Sequence, residues 1–137
     1  MSYAGDVSPT QAHAAVTGEE RGVLVDVRTR AEWAYVGVPD LAGSGGTVAL
    51  VEWSRYPDGA LNEHFVEEVC TAGLEPGRPV YLLCRSGVRS RAAAEALTAA
   101  GLGPAFNVVD GFEGPLDREG HRTVSGWKAL GLPWRQG

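Results

Sequence analysis

Residues 80–97 read VYLLCRSGVRSRAAAEAL. A short apolar run of the kind that forms a buried strand ends abruptly on Cys84, and an alanine-rich helix follows within a few residues. Between them lie Arg85, Ser86, Gly87, Val88, Arg89 and Ser90. A strand leading through a tight glycine turn into a helix is half of an α/β crossover, and the rest of the chain repeats the alternation. The runs at 22–27, 46–53 and 105–110 read as further strands. Helices are expected over 9–16, 30–36, 61–74 and 88–102, with Ser8 as N-cap and Pro9 at the first helical position of the earliest. Asn62 is the expected cap of the 61–74 helix, and Cys70 is expected on its apolar face as a packing residue. The segment GWKALGLPW (126–134) reads as a last short helix stopped by Gly131 and Pro133. The expected fold is α/β, with a mostly parallel sheet.

In such sheets ligands bind beyond the carboxyl ends of the strands. If the four strands are parallel, Asp26 and Arg28, then Glu52, Trp53 and Arg55, then Cys84, then Asp110 gather along one edge. A helix N-terminus there presents unpaired N–H groups and the positive end of its dipole, which favour a thiolate. Arg85 and Arg89 add positive charge. Gly87 permits a tight turn with amides directed inward as an anion-binding nest. Cys84 is therefore expected to be an ionised, accessible nucleophile. A cysteine ending a strand is commonly a small buried hydrophobe, but the Gly87, Arg89 and Ser90 context points to chemistry. Asp26 and Arg28 either brace the cysteine loop or form a structural ion network, with Arg28 and Glu32 at i,i+4 spacing; the structural role is the favoured one.

The totals narrow the class. At 137 residues, 44% hydrophobic and 21% charged, the chain suits one globular domain. A formal net charge of −5 argues against nucleic-acid or anionic-membrane partners. The N-terminal residues carry no signal-peptide pattern, and no apolar run approaches the roughly 18 residues of a membrane span, so the cytoplasm is the expected compartment. Two cysteines without a CxxC or a Cys/His cluster suggest neither a disulfide framework nor a zinc site, and no cofactor or metal is expected.

These motifs resemble the rhodanese-like sulfurtransferases. CRSGVRS after VYLL looks like that family's active-site loop. LVDVRTRAEW (24–33) resembles its Asp-x-Arg-x-x-x-Glu-aromatic segment. NVVDGFEG (107–114) and GWKALGLPW resemble its closing segments. The resemblance runs from about Ser8 to Trp134 and implies one rhodanese-like domain over 8–134, with helices on both faces of a central parallel sheet. It implies that Cys84 takes a sulfane sulfur from a small anionic donor such as thiosulfate, forming a persulfide, and passes it to cyanide or a thiol. Arg85, Ser86, Gly87, Val88, Arg89 and Ser90 would bind the substrate, with Asp26 and Arg28 in support. Where the family often has a GHIPGA-like segment, this chain has VGVPDLAG (36–43), so a different pocket wall is expected, with Trp53 and Arg55 as candidates and a core role for Trp53 as the alternative.

Other functions fit less well. Cysteine phosphatases related to this fold have one more residue between cysteine and arginine, and the shorter loop here suits sulfur better than a tetrahedral phosphate. Mercaptopyruvate-type loops lack the first arginine. A non-catalytic sulfur carrier or regulatory module is the remaining alternative. The sequence leaves the oligomeric state, the physiological donor and acceptor, and the pathway open.

Overall fold

The computed structural model describes residues 3–18, 21–55, 58–116, 118–122 and 125–136. Five strands form one parallel sheet: β1 (Gly5–Val7), β2 (Val23–Asp26), β4 (Thr47–Leu50), β5 (Val80–Leu83) and β6 (Ala105–Val108), in the order β1-β6-β5-β2-β4. Two short strands, β3 (Val38–Pro39) and β7 (Trp134–Arg135), pair antiparallel apart from it. The helices are α1 (Pro9–Thr17), α2 (Arg30–Val36), α3 (Phe65–Thr71) and α4 (Val88–Ala99).

The strict alternation of strand side chains divides the core in two. Val23, Val25, Val80, Leu82 and Ala105 pack with Phe65 and Val69 of α3 and Ala93, Ala94 and Leu97 of α4. Leu24, Tyr81, Leu83 and Val108 face the other way, onto Ala12 and Val16 of α1 and onto Phe112 and Trp127. Helices thus cover both faces of a sheet whose central strands β2 and β5 are buried at every position. This explains their unbroken apolar runs.

Capping chemistry places the helix starts. Ser8 Oγ accepts the Gln11 amide at 3.1 Å while Gln11 Oε1 accepts the Ser8 amide at 2.8 Å, a capping box with Pro9 in the first turn. Thr29 and Glu32 form the same box at α2.

Several expectations change. The 61–74 helix is shorter, Phe65–Thr71, because Asn62 sits outside it, accepting the His64 amide and donating to the Glu52 carbonyl. Cys70 is exposed: Phe65 and Val69 take the core-facing positions of α3. Residues 126–132 form turns, closed by bonds such as Leu132 N–H to the Trp127 carbonyl, and the chain then enters β7 rather than a helix. The sheet gains β1, which was not expected from its three residues. Trp53 packs edge-on against Phe65 at a centroid distance of 5.1 Å, which supports the core reading. Among the described residues no helix is long and apolar enough to cross a membrane.

Beyond β2 lies a fully buried ion pair. Arg28 donates from Nε and Nη2 to Asp26 at 2.9 and 2.7 Å, and from Nη2 to the Gly37 carbonyl at 2.7 Å. Both side chains are 0% exposed, and the guanidinium carbon lies 4.1 Å from the Phe112 ring centroid. Glu32 is not its partner. Removing one member of such a pair strands a buried charge, which costs about 3–5 kcal/mol, whereas replacing both can be nearly neutral. Urea unfolding should therefore show Arg28→Met to be severely destabilised. Asp26→Leu/Arg28→Met should recover much of the loss.

Candidate active site

The parallel sheet brings the expected groups to its carboxyl-terminal edge. Cys84 follows β5 directly. The backbone then reverses through Gly87, at φ +115°, and enters α4 at Val88. The Gly87 amide donates to Cys84 Sγ at 3.1 Å, and Ser90 Oγ, in the first turn of α4, lies 3.2 Å from the same sulfur. Ser90 is itself fully buried.

What aims the loop is the segment after β6. The carbonyl of Cys84 accepts the Phe112 amide at 2.8 Å, and that of Arg85 accepts the amides of Glu113 and Gly114 at 3.0 and 3.1 Å. With its carbonyls tied outward, the loop can turn amides toward the sulfur. Among the described residues the backbone amides of Arg85 and Ser86 have no acceptor, so they remain available to an anion. Gly111 makes this docking possible: a Cβ there would lie 2.3 Å from the Cys84 carbonyl oxygen, and its φ is +55°. In NVVDGFEG the signal for this docking role is a glycine three residues after the strand and beside an aromatic.

The arginines divide. Arg89 is bound at both nitrogens by Glu32, at 2.6 and 2.8 Å, so its guanidinium joins α4 to α2. Arg85 is exposed and has no side-chain partner among the described residues. Val88 projects into solvent at the rim, 80% exposed, and Ser86 is half-buried. Asp26 and Arg28 make no hydrogen bond to the cysteine loop among the described residues; they sit beneath its neighbourhood as the buried pair described above. Glu52, at the end of β4, accepts the Arg30 amide, and Asp110 occupies a left-handed turn at φ +66°.

Cys84 is only 1% exposed, which corrects the expectation of an open sulfur. Its surroundings are nonetheless polar on one side, through Gly87 and Ser90. A groove of about 660 Å³ adjoins the loop, bordered by Glu32, Tyr35, Arg55, Arg85 and Arg89. A somewhat larger cavity, about 700 Å³, lies between α2, β4 and α3 and touches no residue of the loop. The groove is the relevant one, because Arg85 and Arg89 of the segment that follows Cys84 border it.

With this geometry in place, the comparisons are specific. The chain matches the rhodanese-like domain family over residues 8–115 and belongs to that family. The crystal structure of Rv0390 from M. tuberculosis superposes with a TM-score of 0.89 at 55% identity, covering 99% of this chain and 100% of that one. The uncharacterized protein RC0915 of Rickettsia conorii is 33% identical over 131 residues, 95% of this chain and 96% of its own length. The polysulfide-sulfur transferase homodimer of Wolinella succinogenes shares the fold, with a TM-score of 0.65 at 20% identity over 96% of this chain and 78% of that one.

Burial raises the pKa of Glu32, but hydrogen bonds from Arg89 and the Thr29 amide outweigh it and bring the carboxyl down to about 2 from an ordinary 4.5. A depressed acid stabilises the fold above its unfolded pKa and loses that contribution as pH falls through the folded value. The stability advantage of wild type over Glu32→Gln should thus be constant above pH 4.5 and close between 4.5 and about 2. Denaturant midpoints measured across that range check it.

Proposed function

We propose that this protein is a sulfurtransferase in which Cys84 carries sulfane sulfur as a persulfide. The observation that carries the reading is the setting of Sγ: an amide and a hydroxyl on the sulfur, two amides without acceptors beside it, and an unengaged arginine on the same loop.

In the first half-reaction the Cys84 thiolate attacks the outer sulfur of thiosulfate. A new S–S bond forms, and the bond to the sulfonate sulfur breaks. Sulfite departs with the electron pair of that bond. The Arg85 guanidinium and the loop amides offset the donor's double charge and the charge of the departing sulfite, an oxyanion-hole arrangement built from backbone. In the second half-reaction cyanide or a thiolate attacks the outer sulfur, and Sγ leaves as a thiolate with the electron pair. No net oxidant is consumed, and ping-pong kinetics follow from the covalent intermediate.

The division of the arginines supports different roles for them. Arg85 is the substrate-binding arginine. Arg89 is bound by Glu32 and holds the loop against α2, so its effect on substrate is through position. Ser86 and Gly87 contribute backbone, Ser90 contributes its hydroxyl, and Val88 forms part of the rim.

Intact-mass measurement after thiosulfate treatment should show one added sulfur, about 32 Da, removed again by cyanide. Cys84→Ser should take up none, and Cys70→Ser should load normally. Hydrolysis of an aryl phosphate without sulfur uptake would instead identify a phosphatase.

Arg85→Ala should lower kcat/KM for loading by about ten- to a hundredfold, the scale of one charge-assisted hydrogen bond. Arg89→Lys should be less damaging to loading than Arg85→Ala if Arg89 serves position alone. Stopped-flow release of sulfite distinguishes the two.

A further inference from the structure

Behind the sulfur lies a buried polar chain. Ser90 Oγ is 3.2 Å from Cys84 Sγ and 2.6 Å from Asn107 Oδ1. Asn107, on β6 and 4% exposed, donates from Nδ2 to Asp6 Oδ1 at 3.2 Å, and Tyr3 donates to that same carboxylate oxygen at 2.7 Å. The parallel register sets Asp6 beside Asn107 on neighbouring strands, facing α4. The carboxylate oxygen accepts, so it pins the amide with Nδ2 toward β1 and Oδ1 toward Ser90.

A serine hydroxyl has one hydrogen. It cannot serve both Sγ and Asn107 Oδ1 at once. When the sulfur is a thiol, its own hydrogen is donated to Ser90 Oγ, and the Ser90 hydrogen goes to Asn107. When the sulfur is a thiolate, it needs the Ser90 hydrogen, and the buried Asn107 carbonyl must give it up. We propose that Asn107 is a positioning residue for Cys84: its Oδ1 competes with Sγ for the Ser90 hydrogen, so that this hydrogen follows the charge on the sulfur. The proposal rests on the reading of Cys84 as the nucleophile. In the persulfide the charge moves to the outer sulfur, and Sγ becomes a weak acceptor. The hydrogen then returns to Asn107. When the outer sulfur is transferred, Sγ departs as an anion and the hydroxyl turns back to it. The hydrogen stays bonded to Ser90 Oγ throughout, and only the orientation of the hydroxyl changes.

The charged and titratable groups around this chain are Arg85 in the loop, Arg89 with its partner Glu32, Arg91 and Glu95 on α4, Asp26 with Arg28 at the end of β2, Asp110 after β6, and Asp6 and Tyr3 on the β1 side. Asn107→Leu preserves shape and removes the competing acceptor; it also removes the Nδ2 donor to Asp6, and the Ser90→Ala background separates that charge effect from the one carried by the hydroxyl. Alkylation of Cys84 by iodoacetamide, followed against pH in a Cys70→Ser background, reads thiolate formation without requiring sulfur transfer.

Asn107→Leu should move the midpoint of that profile down by about one pH unit, a tenfold gain in thiolate at a given pH. Ser90→Ala should move it up. Asn107→Leu added to Ser90→Ala should change nothing further, because Asn107 acts only through the hydroxyl. An unchanged or raised midpoint in Asn107→Leu, or an equal shift in the Ser90→Ala background, would overturn the proposal.

Asp6→Ala provides a second test at an exposed position. It frees the amide to turn, so the midpoint should fall further with Ser90 present than in Ser90→Ala. Equal falls would signify loss of the carboxylate charge alone and count against the proposal. If thiosulfate loading fails while these shifts appear, the sulfur-transfer reading falls and the positioning role stands.

Discussion

The carbonyl oxygens of Cys84 and Arg85 are held by the amides of Phe112, Glu113 and Gly114, and the site depends on that tie. A peptide group that turns its oxygen one way turns its N–H the other. Fixing two oxygens outward commits the loop to offering hydrogens inward, toward the sulfur. The dipole of α4 adds to the same field. Because the tie is made by the segment that follows the neighbouring parallel strand, the sheet itself sets the geometry of the cradle. The contact also needs Gly111, since any side chain there would meet the Cys84 carbonyl.

The second constraint is the distribution of charge. Glu32 performs two tasks with one carboxylate: it closes the capping box of α2 and binds Arg89. The first turn of α2 is therefore joined to the first turn of α4 across the site. With Arg89 paired to Glu32 and Arg28 to Asp26, the groove keeps the positive charges of Arg85 and of Arg55, whose guanidinium bonds the neutral Asn62. The departing LVDVRTRAEW and VYLLCRSGVRS segments, far apart in the chain, are thus parts of one electrostatic unit.

Much of the fold was legible because parallel strands buried on both faces read as apolar runs, as 23–25 and 80–84 do. Ser8 and Pro9 placed the first helix start by local chemistry. The failures share a cause. Cys70 reads as core-facing because it adjoins Val69, yet one residue further along α3 turns its side chain about 100° away from that buried position, and Asn62 reads as the cap because a side chain bonding one residue before a helix resembles one bonding at its start. The turns of 126–132 contain apolar residues at nearly helical spacing, yet Trp127 is buried by tertiary contact with β5, β6 and α1 rather than by a helix face. The turn from Cys84 into α4 and the structural pairing of Asp26 with Arg28 were visible in the sequence, because both are local in the chain. The partners of Glu32 and Asn107 were not, since each lies on an element whose neighbour is set only by the tertiary arrangement.

The near-complete burial of Cys84 costs a thiolate its hydration, and the Gly87 amide and Ser90 hydroxyl on Sγ offset that cost. A thiolate bathed in water gains little from one amide and one hydroxyl, because solvent competes for the same lone pairs and screens the dipoles. Enclosed, the same two donors act at low local dielectric and are felt in full. Burial and the proposed reactivity are compatible because the polar groups that replace water, the Gly87 amide and the Ser90 hydroxyl, are built into the loop and its helix.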